Sequence, residues 1–90
     1  MDTKFVAGDV VISTSGHDKN RVFIVIGIDK NGYPAIIDGR YRIRTKPKVK
    51  NPKHLLLVAH DEKILEKVNS PLATDTEIYK MIKVYNQVKE

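Results

Sequence analysis

The chain has 90 residues, with 16 Lys and Arg against 11 Asp and Glu, a formal net charge of +5 and no cysteine. This length allows one small domain with a modest core and excludes two-lobed enzyme architectures; the missing thiols exclude disulfides, thiolate metal centres and cysteine nucleophiles. The charge is one-sided, because residues 1–60 hold 11 basic and 5 acidic residues while residues 61–90 hold 5 and 6, so a basic part suited to polyanions is expected ahead of a near-neutral appendage.

Strand and turn signals run through the first sixty residues. A short Phe5–Ala7 piece and a Gly8-Asp9 turn lead into a strand at Val10–Ser13, and Thr14–Asn20 is a loop of Gly, Ser, Asp and Asn. Arg21–Asp29 is the longest β-rich run. Both of its parities are apolar, so it is expected to be covered on both faces or to bend at Gly27. Asn31-Gly32 predicts a two-residue hairpin into a strand at Tyr33–Asp38, despite Pro34. Asp38-Gly39 predicts a turn into a further strand at Tyr41–Arg44, and Leu55–Ala59 closes the sheet. Five or so short strands joined by tight turns predict a small closed or nearly closed barrel over residues 1–60.

The period changes after that. Ile64, Leu65 and Val68 have helical spacing and stop before Asn69-Ser70-Pro71. Thr74 with Glu77 matches a capping box, followed by Ile78, Met81, Ile82, Tyr85 and Val88 on one helical face. The expectation is a mainly-β domain with one or two C-terminal helices, residues 61–90 packing on the barrel. No apolar run approaches the roughly 18 residues of a membrane span, and MDTKFVAGDV lacks a signal-peptide pattern. A soluble, cytoplasmic protein with no membrane partner is expected, with oligomeric state left open.

Chemistry-bearing constellations do not assemble. There is no Gly-x-Ser-x-Gly elbow and no Gly-x-x-x-x-Gly-Lys loop. His17, His54 and His60 have no metal-ligand spacing and read as loop or surface histidines. Asp9, Asp18, Asp29 and Asp38 all flank turns, where Asp side chains hold their own backbone. No enzyme, cofactor or metal is expected.

The sharp feature is Arg40, Arg42, Arg44, Lys46, Lys48 and Lys50, one cation at every even position, with Tyr41, Ile43, Thr45, Pro47 and Val49 between them. In an extended chain alternate side chains share a side, which would line six cations along one face at about 6.6 Å spacing, comparable to successive phosphates. Pro47 restricts the second half to an edge or an extended loop. Lys53 and His54 continue the track, Lys19 and Arg21 add charge from the first loop, and no acidic residue lies between Arg40 and Lys53. Tyr33 and Tyr41 are candidates for stacking bases, for caging a methylated side chain or for core packing; Phe23 reads as core.

Gly8, Asp9, Gly16, Asp18 and Lys19, with alternating apolar residues between them, resemble a KOW motif in order and spacing. Asn20 replaces the usual Gly there, and Asn is the next best residue for a left-handed backbone. Asp38-Gly39-Arg40 and the run Pro47–Leu55 are similar to the branch of eukaryotic- and archaeal-type large-subunit ribosomal proteins and their small bacterial relatives, where His17 often has Arg as its counterpart. The resemblance covers residues 5–58. It implies an SH3-like barrel binding structured RNA, most often rRNA of the large ribosomal subunit. By position it points to His17, Lys19, Asn20 and Arg21, and then to Arg40, Lys48, Lys50, Asn51, Lys53 and His54. Arg42, Arg44 and Lys46 join these through the alternating run. The competing expectation is an SH3-like protein-interaction module of a transcription or translation assembly, in which Tyr33 and Tyr41 contact a peptide.

Overall fold

The computed structural model describes residues 5–88. Five strands, β1 (Asp9–Ser13), β2 (Val22–Ile28), β3 (Pro34–Ile37), β4 (Lys48–Val49) and β5 (Leu55–His60), precede two helices, α1 (Glu62–Val68) and α2 (Asp75–Val88). A 3-10 turn at Pro52–His54 leads into β5. The strands form one antiparallel sheet in the order β4-β3-β2-β1-β5, a meander whose last strand returns beside the first.

The apolar parities of β2 each find a cover. Val22 and Ile24 join Val10, Ile37, Ile64, Ile78 and Ile82 in one buried cluster. On the opposite face Phe23 and Val25 join Phe5, Val11, Ile36 and Leu55 in a second, as alternation along a strand requires. The pairing of β2 with β3 also shifts register between Val25 and Gly27, so β2 is covered on both faces and irregular at Gly27. Burying an isoleucine completely contributes about 2 kcal/mol. Ile64, Ile78 and Ile82, all essentially inaccessible to solvent, therefore bind the helices firmly into the core of the sheet.

Both helices are capped by side chains, and α2 begins at the predicted capping box. Asp61 caps α1 by accepting from the backbone N–H groups of Lys63 and Ile64. At α2 the Thr74 hydroxyl accepts from Glu77 N at 3.2 Å while the Glu77 carboxylate accepts from Thr74 N at 2.9 Å, a reciprocal capping box. Met81 and Tyr85 pack beside Ile78 and Ile82; the Val88 side chain lies outside the described residues.

Three expectations need correction. First, the sheet does not close into a barrel: β4 and β5 are its two edges. Second, Tyr41–Arg44 forms no strand. The Asp38 carboxylate accepts from the backbone N–H groups of Arg40, Tyr41 and Arg42, each at 2.9 Å. A chain that turns three consecutive donors onto one carboxylate has none of them left for a sheet ladder. A second turn, closed by Lys46 N on Ile43 O, follows at once, and only two residues remain for β4. Third, the Asn31-Gly32 hairpin is wider than two residues, because Ile28 pairs with Pro34 and the Asp29 carboxylate organises the loop by accepting from Asn31 N and Tyr33 N.

At the far edge, Leu56, Leu57 and Val58 of β5 remain exposed. Among the described residues no helix is long and apolar enough to cross a membrane.

Candidate functional site

The first loop, Thr14–Arg21, is closed by its own backbone. Ser13 N donates to Arg21 O, Asn20 N to Ser13 O and Lys19 N to Gly16 O. Asn20 sits at φ 72°, the left-handed conformation that its amide side chain tolerates. His17, Lys19, Asn20 and Arg21 are all exposed.

Asp18 does the opposite. Asp9, Asp29 and Asp38 hold nearby backbone N–H groups as turn residues do, but Asp18 points inward to Lys50 Nζ at 2.7 Å, Lys48 Nζ at 2.9 Å and Ser13 Oγ at 2.9 Å. Burial opposes its charge, yet the ammonium groups of Lys50 and Lys48 and the Ser13 hydroxyl overcome that penalty and hold the carboxyl well below the usual carboxylate range. Lys50 Nζ also donates to Ser15 O at 2.8 Å, and the residue is only 8% exposed. Lys48 and Lys50 thus latch the first loop to the strand at the sheet edge.

The alternating cations do not share one extended face. The chain is extended as a strand only at Lys48–Val49, so the alternation places side chains in three different surroundings. Lys48 and Lys50 turn to Asp18. Arg44 turns to the helices: its guanidinium donates to the carbonyls of Lys67, Val68, Ser70 and Ala73 and pairs with Asp75 at 3.3 Å. These carbonyls belong to the end of α1 and the α1–α2 connection, where Lys67 O and Ser70 O also accept from the backbone N–H groups of Ser70 and Ala73. Arg40, Arg42, Lys46 and Lys53 face solvent. Among the described residues none of these four, nor Lys19 or Arg21, forms an ion pair.

Tertiary contacts then gather separated pieces around the first loop. The Arg21 guanidinium lies 4.5 Å from the centre of the Tyr41 ring, and Arg40 lies 5.2 Å from the same ring. Arg40 also lies 5.6 Å from the ring of Tyr79 on α2 and donates to its hydroxyl at 3.3 Å. Thr14 N donates to His54 O at 2.9 Å, which brings in the Pro52–His54 turn. Asn51 caps that turn by accepting from Lys53 N and donates from its amide to the Tyr33 hydroxyl at 3.3 Å. Phe23 belongs to the core.

Tyr79 and Asp75 were not legible as site residues. They lie more than thirty positions from Arg40 and Arg44, and the helical pattern marks them only as positions beside the buried stripe. His60 is a second feature without a sequence signal. Its ring nitrogens meet Asp9 Oδ1 at 2.7 Å and the Glu62 carboxylate, which joins the start of β1, the end of β5 and the start of α1. Those hydrogen bonds, Asp9 first, raise the imidazole above its ordinary value.

Comparison of the chain with protein-family models finds no match, and comparison with curated proteins finds none either.

Proposed function

We propose that this chain is a non-enzymatic RNA-binding module of SH3-like, KOW type, cytoplasmic and directed at structured RNA such as that of the large ribosomal subunit. The observation that carries the reading is the convergence of Arg21 and Arg40 on Tyr41 beside Lys19 of the hydrogen-bonded first loop, with these cations and Arg42 exposed and their side chains in no ion pair among the described residues. Cations held in this way neutralise phosphates and release counterions without first breaking internal ion pairs. The short antiparallel strands and the left-handed Asn20 support the SH3-like part of the reading. Such a surface recognises RNA by shape and backbone more than by base sequence.

The test is the salt dependence of RNA affinity. Arg42→Ala combined with Lys53→Ala is expected to weaken binding to all RNAs alike. It should also flatten the plot of log affinity against log salt by roughly 0.7–0.9 for each phosphate that is no longer neutralised. An unchanged slope overturns the claim that these side chains meet phosphate. Lys48 and Lys50 are unsuitable for this test because their ammonium groups hold Asp18.

The exposed Leu56, Leu57 and Val58 on an open sheet edge favour a second reading, a module that docks a protein partner by strand addition. Affinity that survives salt concentrations sufficient to strip RNA would select it.

A further inference from the structure

Of the four tyrosines, three have their hydroxyls engaged: Tyr33 by the Asn51 amide, Tyr79 by Arg40 and Tyr85 by donating to Asp61. Among the described residues the Tyr41 hydroxyl has no partner, and Tyr41 is 61% exposed, well above Tyr33 at 37%. A large aromatic ring in solvent is ordinarily mobile. The backbone that carries this one is held by the turn whose three N–H groups converge on Asp38.

The turn is also seated against α2. Gly39 has φ +83°, and a Cβ there would stand 2.4 Å from Asp75 O and 2.6 Å from Tyr79 N, so the helix backbone occupies the space a side chain would need. Two guanidiniums lie over the ring, Arg21 from the first loop at 4.5 Å from its centre and Arg40 from the turn itself at 5.2 Å. Neither forms an ion pair among the described residues.

We propose that Tyr41, flanked by Arg21 and Arg40, is a stacking site for one unpaired nucleobase. This rests on the reading of the surrounding surface as an RNA contact and narrows it to RNA carrying a single-stranded or bulged nucleotide. With both guanidiniums over its ring Tyr41 is still 61% exposed, so a base stacks on the ring surface they leave open or takes the place of one of them, and the guanidiniums neutralise the phosphates on either side of that nucleotide. A regular duplex has no free base face to present and gains only the phosphate contacts. The contact of Arg40 with Tyr79 makes α2 part of the site, so the helical segment supports the platform from behind.

The experiment compares three probes: an oligoadenylate of about 12 nucleotides, an abasic strand of the same length, and a regular RNA duplex. Each is titrated against the unmodified protein, Tyr41→Ala and Tyr41→Phe at one low salt concentration. Tyr41→Ala is expected to weaken the oligoadenylate about tenfold and to leave the abasic strand and the duplex within about twofold, while Tyr41→Phe binds all three like the parent. A 2-aminopurine placed in the oligoadenylate should be quenched by the parent and by the Phe variant and not by the Ala variant. Equal losses on base-bearing and abasic strands, or no loss on either, overturn the stacking site and leave the phosphate reading standing. If the unmodified protein binds none of the three probes, the RNA-binding reading falls and the stacking site with it.

Discussion

Arg42 and Arg44 stand two residues apart in one basic run, yet they face different surroundings. Arg42 points to solvent from a turn held by Asp38, without an ion pair among the described residues, while Arg44 is half-buried and bonded to four carbonyls and a carboxylate of the helical segment. The same division separates Lys50, latched on Asp18, from the exposed Lys53 three residues later. Cations that look equivalent along the chain therefore divide into those that hold the fold and those left for a partner. The deciding factor is whether an acceptor lies within reach in three dimensions. A cation with a short contact to a buried carboxylate exchanges water for protein and becomes structural, and an exposed cation keeps its hydration and its availability to phosphate.

The strongest way to break this comparison is to remove one member of the inner set. Lys50→Ala leaves the buried Asp18 carboxylate with Lys48 and Ser13 alone, and should cost about 3 kcal/mol of stability in urea denaturation. Arg42→Ala should stay within about 0.5 kcal/mol. Equal costs for the two would erase the distinction. A smaller effect is expected at Arg44, where alanine removes charge-assisted hydrogen bonds from the end of α1 and should cost about 2 kcal/mol. Arg44→Lys should recover only part of this, since an ammonium cannot match the planar fork that serves several carbonyls at once.

The smallest effect sharpens the comparison through pH. His60 stands between two carboxylates, and its value is raised in the folded protein above the ordinary 6.5. The unfolded chain therefore loses this proton first as pH rises. The stabilisation is complete below about 6.5 and is lost as pH climbs through the folded value. Asp18 has the opposite sign: its lowered value means stabilisation present above its ordinary 3.8 and lost as pH falls towards the folded value. Thermal melts between about pH 6 and 9 should show the parent losing stability relative to His60→Gln, and melts taken below pH 3.8 should show Lys50→Ala losing less than the parent as pH falls. A His60→Gln profile parallel to the parent across that range would refute the linkage.

Much of the local structure was legible in the sequence because it depends on residues a few positions apart. The Thr74–Glu77 box and the double burial of β2 follow from short-range spacing and from the parity of a single strand, and the left-handed Asn20 from the chemistry of one residue. The β-rich composition of the first sixty residues and the helical period of the last thirty likewise determined the mainly-β class with two helices. Tertiary structure alone decided whether the sheet closes, which cations turn inward and which of the described tyrosine hydroxyls stays without a partner. Asp18 meets Lys48 and Lys50 across thirty and thirty-two positions, and Arg44 meets Asp75 across thirty-one. Periodicity reports which side of an element a residue occupies. It carries no information about what another element places there, and at these positions the neighbour determines whether a charge holds the fold or awaits a ligand.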